Sequence, residues 1–220
     1  MNITIRTFNW NDVAALVPLR AAVEAVDRLG FAATEDDLRK VLSRPTLEPE
    51  ANYFVALADD AAVPSAQLVG SAWVVARNGQ GESVFYLNGH VHPDWRRRGI
   101  GMQLLQTAIA RARERIGEAA SQTIWLQSEE VPDKAAGQIG LFESSGFEVA
   151  RWELDMRRNL PGIGQIAPLV PIWQEPAGIQ LRPWREGVDD EAVGWLLDAA
   201  FRDHWGYTAI VIQEWLQRLH

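Results

Sequence analysis

The chain has 220 residues, 47% apolar and 23% charged, enough for one sizeable core but not for two complete domains of enzyme size. Its 21 basic and 29 acidic residues give a net charge of −8, which disfavours a general nucleic-acid binder because phosphate affinity needs clustered positive charge. Zero cysteines exclude disulfides, thiolate nucleophiles, iron–sulfur clusters and cysteine-based zinc sites.

Residues 3–8 alternate apolar and polar side chains and predict a strand. Asn11 or Asp12 then caps a helix with Val13, Leu16, Val17, Ala21 and Val23 on its apolar stripe. Thr34 followed by Asp37 opens a second helix with Leu38 and Val41 inward, and Pro45 stops it. Residues 53–58 and 67–76 read as a hairpin, and 83–91 as a fourth strand. Beyond it Ile100, Leu104, Leu105, Ala108, Ile109, Ala112 and Ile116 follow a helical period. A short strand over 123–127, a helix over 133–144 and a strand over 147–156 with Val149, Trp152 and Leu154 alternating complete a first domain, 1–159.

Residues 160–178 hold Pro161, Pro168, Pro171 and Pro176 together with glycines, the composition of an extended linker. Past it, Ile179-Gln180-Leu181-Arg182-Pro183-Trp184 repeats the pattern of Ile3-Thr4-Ile5-Arg6-Thr7-Phe8 at an offset of 176 residues, and each is followed by acids and an amphipathic helix. Residues 179–220 therefore read as an incomplete second copy, an opening strand and helices. Such an unfinished sheet would leave an edge and apolar helix faces to be covered, and pairing into a homodimer through this segment is one way to cover them.

The stretch richest in chemistry is Val91-His92-Pro93-Asp94-Trp95-Arg96-Arg97-Arg98-Gly99-Ile100-Gly101. A strand enters it and a helix leaves it, so successive backbone N–H groups and the positive helix end make a diphosphate site. Gly99 and Gly101 allow phosphate oxygens close to the backbone, and Arg96, Arg97 and Arg98 add positive charge to an acidic protein. Two other glycine loops fail: Met102 and Gln103 stand where a nucleoside-triphosphatase loop needs Lys and Ser or Thr, and Leu104 stands where a dinucleotide fingerprint needs glycine.

Arg96-Arg97-Arg98-Gly99-Ile100-Gly101, preceded by Val91-His92-Pro93, resembles the coenzyme A loop [RQ]xxGx[GA] of the GCN5-related N-acetyltransferases. Gly140-Leu141-Phe142-Glu143-Ser144-Ser145-Gly146-Phe147 is similar to that family's LYExxGF segment, and the likeness spans residues 3–158. It implies an α/β fold, a mixed, mostly antiparallel twisted sheet flanked by helices, here with a partial second copy as in tandem members. It also implies acetyl-CoA as acyl donor, a primary amine of a small molecule as acceptor, and direct attack without a covalent intermediate. The family's contacts map to Gly89 and Val91 for pantetheine and acyl group, and to Arg96, Arg97, Arg98, Gly99, Ile100 and Gly101 around the diphosphate.

Departures from the family pattern bear on catalysis. Phe142 stands at the tyrosine that protonates the departing thiolate, Phe85 and Leu87 where a strand glutamate serves as base, and Ala135 where an asparagine is frequent. Candidate substitutes are His90 beside the acyl site, Glu129 at the end of the fifth strand acting through water, and Tyr86 as acid. His92 and His204 read as packing or turn residues, and Glu48, Glu50, Asp59 and Asp60 offer an acidic rim to a cationic acceptor. The alternative to an enzyme is an acetyl-CoA-binding scaffold or sensor. The four histidines lack metal-ligand spacing, no apolar run spans a bilayer, and the N-terminus has no apolar leader. The expectations are therefore no metal, no nucleic acid, no membrane, and a cytoplasmic location.

Overall fold

The computed structural model describes residues 2–30, 33–59, 67–78, 82–118, 123–128, 131–154, 156, 176–204 and 207. Five strands, β1 (Asn2–Thr7), β2 (Tyr53–Asp59), β3 (Gln67–Asn78), β4 (Glu82–Val91) and β5 (Thr123–Ser128), lie side by side in chain order. Each neighbouring pair from β1 to β4 is antiparallel, whereas β5 runs parallel to β4. A parallel neighbour needs a crossover, and α4 (Ile100–Glu114) lies within it.

Side-chain alternation divides the core between the two faces of the sheet. On one face Phe54, Ala56, Val74, Phe85 and Leu87 pack with Ile100, Leu104, Leu105, Ala108 and Ala112 of α4. On the other, Tyr53 and Val55 pack with Val13, Leu16, Leu19 and Val23 of α1 (Val13–Asp27) and with Leu38 and Leu42 of α2 (Glu35–Leu42). Two shorter helices, α3 (Pro49–Asn52) and α5 (Ala136–Ser144), precede β2 and follow β5.

Several expectations shift by a residue or two. Asp12 stands at the N-cap of α1 but makes no capping bond there; Asn9 caps the turn before it, its Oδ1 accepting the Asn11 N–H at 2.9 Å while the Asp12 carboxylate accepts the Asn9 N–H at 2.8 Å. Asp12 is drawn off by Arg6, whose guanidinium donates to both its oxygens at 2.7 and 2.6 Å. Burial alone would raise the Asp12 pKa, but the Arg6 and Asn9 bonds hold it below the usual carboxylate range. The Thr34–Asp37 capping box forms as expected. Leu19 and Leu42 are buried where Ala21 and Val41 were expected, and Val41 is exposed.

The strand expected over 147–156 does not form among the described residues, and Trp152 and Leu154 are 71% and 89% exposed. Residues 179–184 are likewise not a strand. Residues 1–147 belong to one compact unit and 148–203 to a second, which holds α6 (Asp190–Ala200).

Within the second unit, a side-chain motif of the first recurs. Arg182 grips Asp189 through both guanidinium nitrogens, and an Asp189 oxygen accepts the Arg185 N–H at 2.9 Å. Arg6, Asp12 and Asn9 make the same triangle. The Arg182 and Arg185 bonds hold Asp189 well below the usual carboxylate range.

Candidate active site

The register leaves a gap beside β4. Among the described residues β5 accompanies β4 as far as the Leu87–Ser128 pair, while β4 continues against β3 to Val91. The His92 N–H bonds the Val69 carbonyl at 2.8 Å, which sets the antiparallel alternation: His90 and His92 bond inward to β3, and the amides of Gly89 and Val91 point to the side that β5 has left. The Gly89 N–H is held at 2.7 Å by the side chain of its neighbour Asn88. A side chain at Gly89 would approach the Ser71 carbonyl oxygen to 2.7 Å, so this position must be glycine for β3 and β4 to stay paired.

The loop after β4 is a succession of turns aimed into α4. His92 accepts the Asp94 N–H at 3.3 Å and starts a 3-10 turn, Pro93–Trp95, that buries Trp95. Arg97 and Gly99 both have positive φ, 61° and 78°, and alternating backbone handedness of this kind turns successive N–H groups toward one concavity. Gly99 is the N-cap of α4 and offers no side chain to bond the N–H groups of the helix's first turn. A side chain at Gly101 would come within 3.3 Å of Leu141, so α5 makes use of its smallness.

The arginine triplet does not act as one charge cluster. Arg96 donates through its two terminal nitrogens to Asp27 of α1 at 2.8 and 2.6 Å and through Nε to the Val91 carbonyl at 3.1 Å. Arg98 stacks 4.8 Å above the Trp95 ring and donates to the Asp94 carbonyl at 3.0 Å. Arg97 is exposed, as is Arg98 on its ring.

Alternation puts Tyr86, Asn88 and His90 on the α1 face of β4, opposite Leu87 and α4. His90 Nε2 meets the Arg20 guanidinium. Burial, and then the charge of Arg20, push the His90 pKa down to about 4. A histidine whose lone pair already accepts from a guanidinium, and whose protonated form is opposed by that charge, is poorly suited to act as a general base. Tyr86 lies three residues before Gly89, about 10 Å along a strand, with the Arg77 guanidinium 5.1 Å over its ring. Glu129 lies outside the described residues. Phe142 packs edge-on against Phe147 at 5.1 Å. Among the described residues no group of three or more His, Cys, Asp or Glu is placed to hold a metal, and no helix is long and apolar enough to cross a membrane.

A profile of the acetyltransferase (GNAT) domain family matches residues 49–149, the span from α3 through the gap and loop to the end of α5. Residues 49–149 are thus similar to a GNAT acetyltransferase domain. A mycothiol acetyltransferase of Parafrankia sp. is 34% identical over 91% of this chain and 56% of its own length. One of Thermobifida fusca is 28% identical over 98% of this chain and 63% of its own length. The chain thus spans somewhat over half the length of these relatives. The crystal structure of a GCN5-related N-acetyltransferase from Sphaerobacter thermophilus shares the fold, with a TM-score of 0.67 at 20% identity over 98% of this chain and 62% of that one.

GNAT acetyltransferases use acetyl-CoA as acyl donor, and in this domain the gap beside Gly89 and Val91 opens directly onto the loop. Sequence reasoning missed Asn88, Arg20 and Asp27. A signal for two of them was present: Val13, Leu16, Arg20, Val23 and Asp27 recur at heptad spacing, so Arg20 and Asp27 occupy core-facing positions of α1.

Proposed function

We propose that this chain binds acetyl-CoA along the gap and loop and transfers its acetyl group to a primary amine of a small-molecule acceptor. The single observation that carries this reading is the run of backbone donors, from Gly89 and Val91 beside the gap to the uncapped first turn of α4, within the span matched by the acetyltransferase profile. The diphosphate lies over the amides of Arg97, Arg98, Gly99, Ile100 and Gly101 with the Arg97 guanidinium beside it. Pantetheine then runs along the edge of β4 past Leu87, beside Gly89 and Val91. Arg96 is committed to Asp27 and Val91 and contributes position, not charge.

In the ternary complex the amine lone pair attacks the thioester carbonyl carbon. Negative charge gathers on the carbonyl oxygen, where the Val91 amide, and the Gly89 amide once Asn88 yields it, supply hydrogen bonds that strengthen as charge develops. The carbon–sulfur bond breaks, coenzyme A leaves as thiolate, and the proton lost by the amine passes to solvent, to which Glu129 is the candidate relay. Phe142 brings no proton to the thiolate, which leaves unaided or takes one from water.

The recurrence of the arginine–aspartate triangle, at an offset of 176 residues for the arginine and 177 for the aspartate, supports reading residues 179–220 as the opening of a second domain of the same kind, after 1–159 and the linker 160–178. The long relatives, named mycothiol acetyltransferases, make their own acceptor the first compound to test. A thiol-release assay with acetyl-CoA and a panel of amines, amino acids and aminoglycosides, led by that acceptor, decides the matter. Acceptor-dependent release is expected, and binding of acetyl-CoA without release from any acceptor would replace the enzyme by a sensor.

A further inference from the structure

We propose that Arg20 and Asp27 of α1 are positioning residues for the donor site, which hold the end of β4, through His90 and Arg96 respectively, in the course that aims the amides of Gly89 and Val91 into the gap. This rests on the reading that the gap receives acetyl-CoA.

The two residues stand seven apart on the helix face that also carries Val13, Leu16 and Val23, so both project toward the sheet two turns from one another, roughly 10 Å along the axis. What they reach are consecutive residues of β4. Arg20 meets the His90 side chain on the α1 face. Asp27 fixes Arg96, whose Nε takes the Val91 carbonyl. That carbonyl lies on the edge that β5 abandons and would otherwise need another donor. Beyond Leu87 the described residues pair with the strand on one side only, and a single ladder leaves its twist and tilt loosely determined. The two α1 contacts supply the second support. They do so without covering the amides of Gly89 and Val91, which a paired strand would have consumed.

The electrostatics agree with a fixed support. His90 remains neutral through the physiological range, so its Nε2 is a standing acceptor for Arg20. The Asp27–Arg96 pair is bidentate, with side chains 26% and 35% exposed, in the range where planar fork geometry adds rigidity as well as attraction.

The test uses the full chain with Arg20→Ala, Asp27→Ala, and the conservative His90→Gln and Arg96→Lys. Amide hydrogen exchange reads the support itself: exchange at residues 89–91 is expected to rise about tenfold or more in the alanine variants while β2 and β3 keep theirs. Calorimetry with acetyl-CoA and with adenosine 3′-phosphate 5′-diphosphate reads its purpose. Arg20→Ala should weaken acetyl-CoA about tenfold, the loss of one charged hydrogen bond, and leave the nucleotide within about twofold. Asp27→Ala should weaken both ligands, because Arg96 opens the loop. His90→Gln, whose amide oxygen still accepts from Arg20, should keep acetyl-CoA affinity close to that of the unaltered chain, and Arg96→Lys, which gives up the two-pronged grip on Asp27, should weaken binding nearly as much as Asp27→Ala. Faster exchange with unchanged acetyl-CoA affinity overturns the proposal, as does unchanged exchange. If the unaltered chain binds no acetyl-CoA, the donor-site reading fails first and takes this proposal with it, while the exchange data still report whether the support exists.

Discussion

Acidification should reveal what it takes to keep His90 neutral inside the fold. Its pKa is pushed down to about 4 from the ordinary 6.5, by burial first and then by Arg20. Above pH 6.5 the ring is neutral in both folded and unfolded chains and contributes no difference. Between 6.5 and 4 the unfolded chain takes a proton that the folded chain refuses, so stability falls as the pH drops through that window. At 1.36 kcal/mol per pKa unit the full effect is about 3 kcal/mol, an upper figure because the ring retains some solvent contact. His90→Gln removes the titration and keeps an acceptor for Arg20. Paired denaturant curves of the two proteins between pH 7.5 and 4 subtract the carboxylates common to both, and the unaltered chain should lose about 3 kcal/mol more than the variant. A proton NMR titration should place one histidine ring near 4. Parallel pH dependence of the two proteins, or a ring titrating near 6.5, would refute the buried Arg20–His90 contact.

Other expectations follow from single contacts. Gly89→Ala would put its Cβ 2.7 Å from the Ser71 oxygen and 3.1 Å from the Ala72 Cβ, so thermal denaturation should show a loss of roughly 1–3 kcal/mol together with weakened acetyl-CoA binding. Asp12→Ala deprives Arg6 and the Asn9 amide of their shared acceptor, and about 1–2 kcal/mol of stability should go with it in the same measurement. Phe142→Tyr restores a phenol beside Phe147, and turnover should rise, by up to on the order of 10² if thiolate protonation limits the rate; a stopped-flow rate equal to that of the unaltered chain would mean that solvent already does the work.

The sheet was largely legible because its signals are local. The alternation in β1 through β4 and the 3.6-residue period of α4 each lie within one element, and the structure follows them to within about two residues. The loop was legible for the same reason: strand, turn glycine and helix adjoin in the chain. Residues 147–156 show the limit. Val149, Trp152 and Leu154 alternate as a strand would, but alternation says only that a segment would suit a sheet, not that a neighbour is offered, and these side chains are exposed.

The arginines were misjudged because an ion pair is chosen in three dimensions. Three adjacent guanidiniums resemble one anion site, yet Arg96 takes an aspartate 69 positions away and Arg98 takes the ring of Trp95. His90 has the composition of a base, and only the helix crossing over it turns it into a fixed acceptor. Arg20 and Asp27 were visible as polar residues on a core stripe, a pattern that marks buried partners before any coordinates exist.

The central claim, that the chain grips the diphosphate of acetyl-CoA at the start of α4, is tested most directly by calorimetry on the unaltered protein and Gly99→Val. Gly99 has φ of 78° and only the Gln103 side chain, at 4.0 Å, near the space a Cβ would fill, so the substitution strains the loop by about 1–2 kcal/mol without disturbing the core. One acetyl-CoA per chain, weakened about tenfold or more by the valine, is the expected result. No binding, or equal binding by both proteins, would contradict the account.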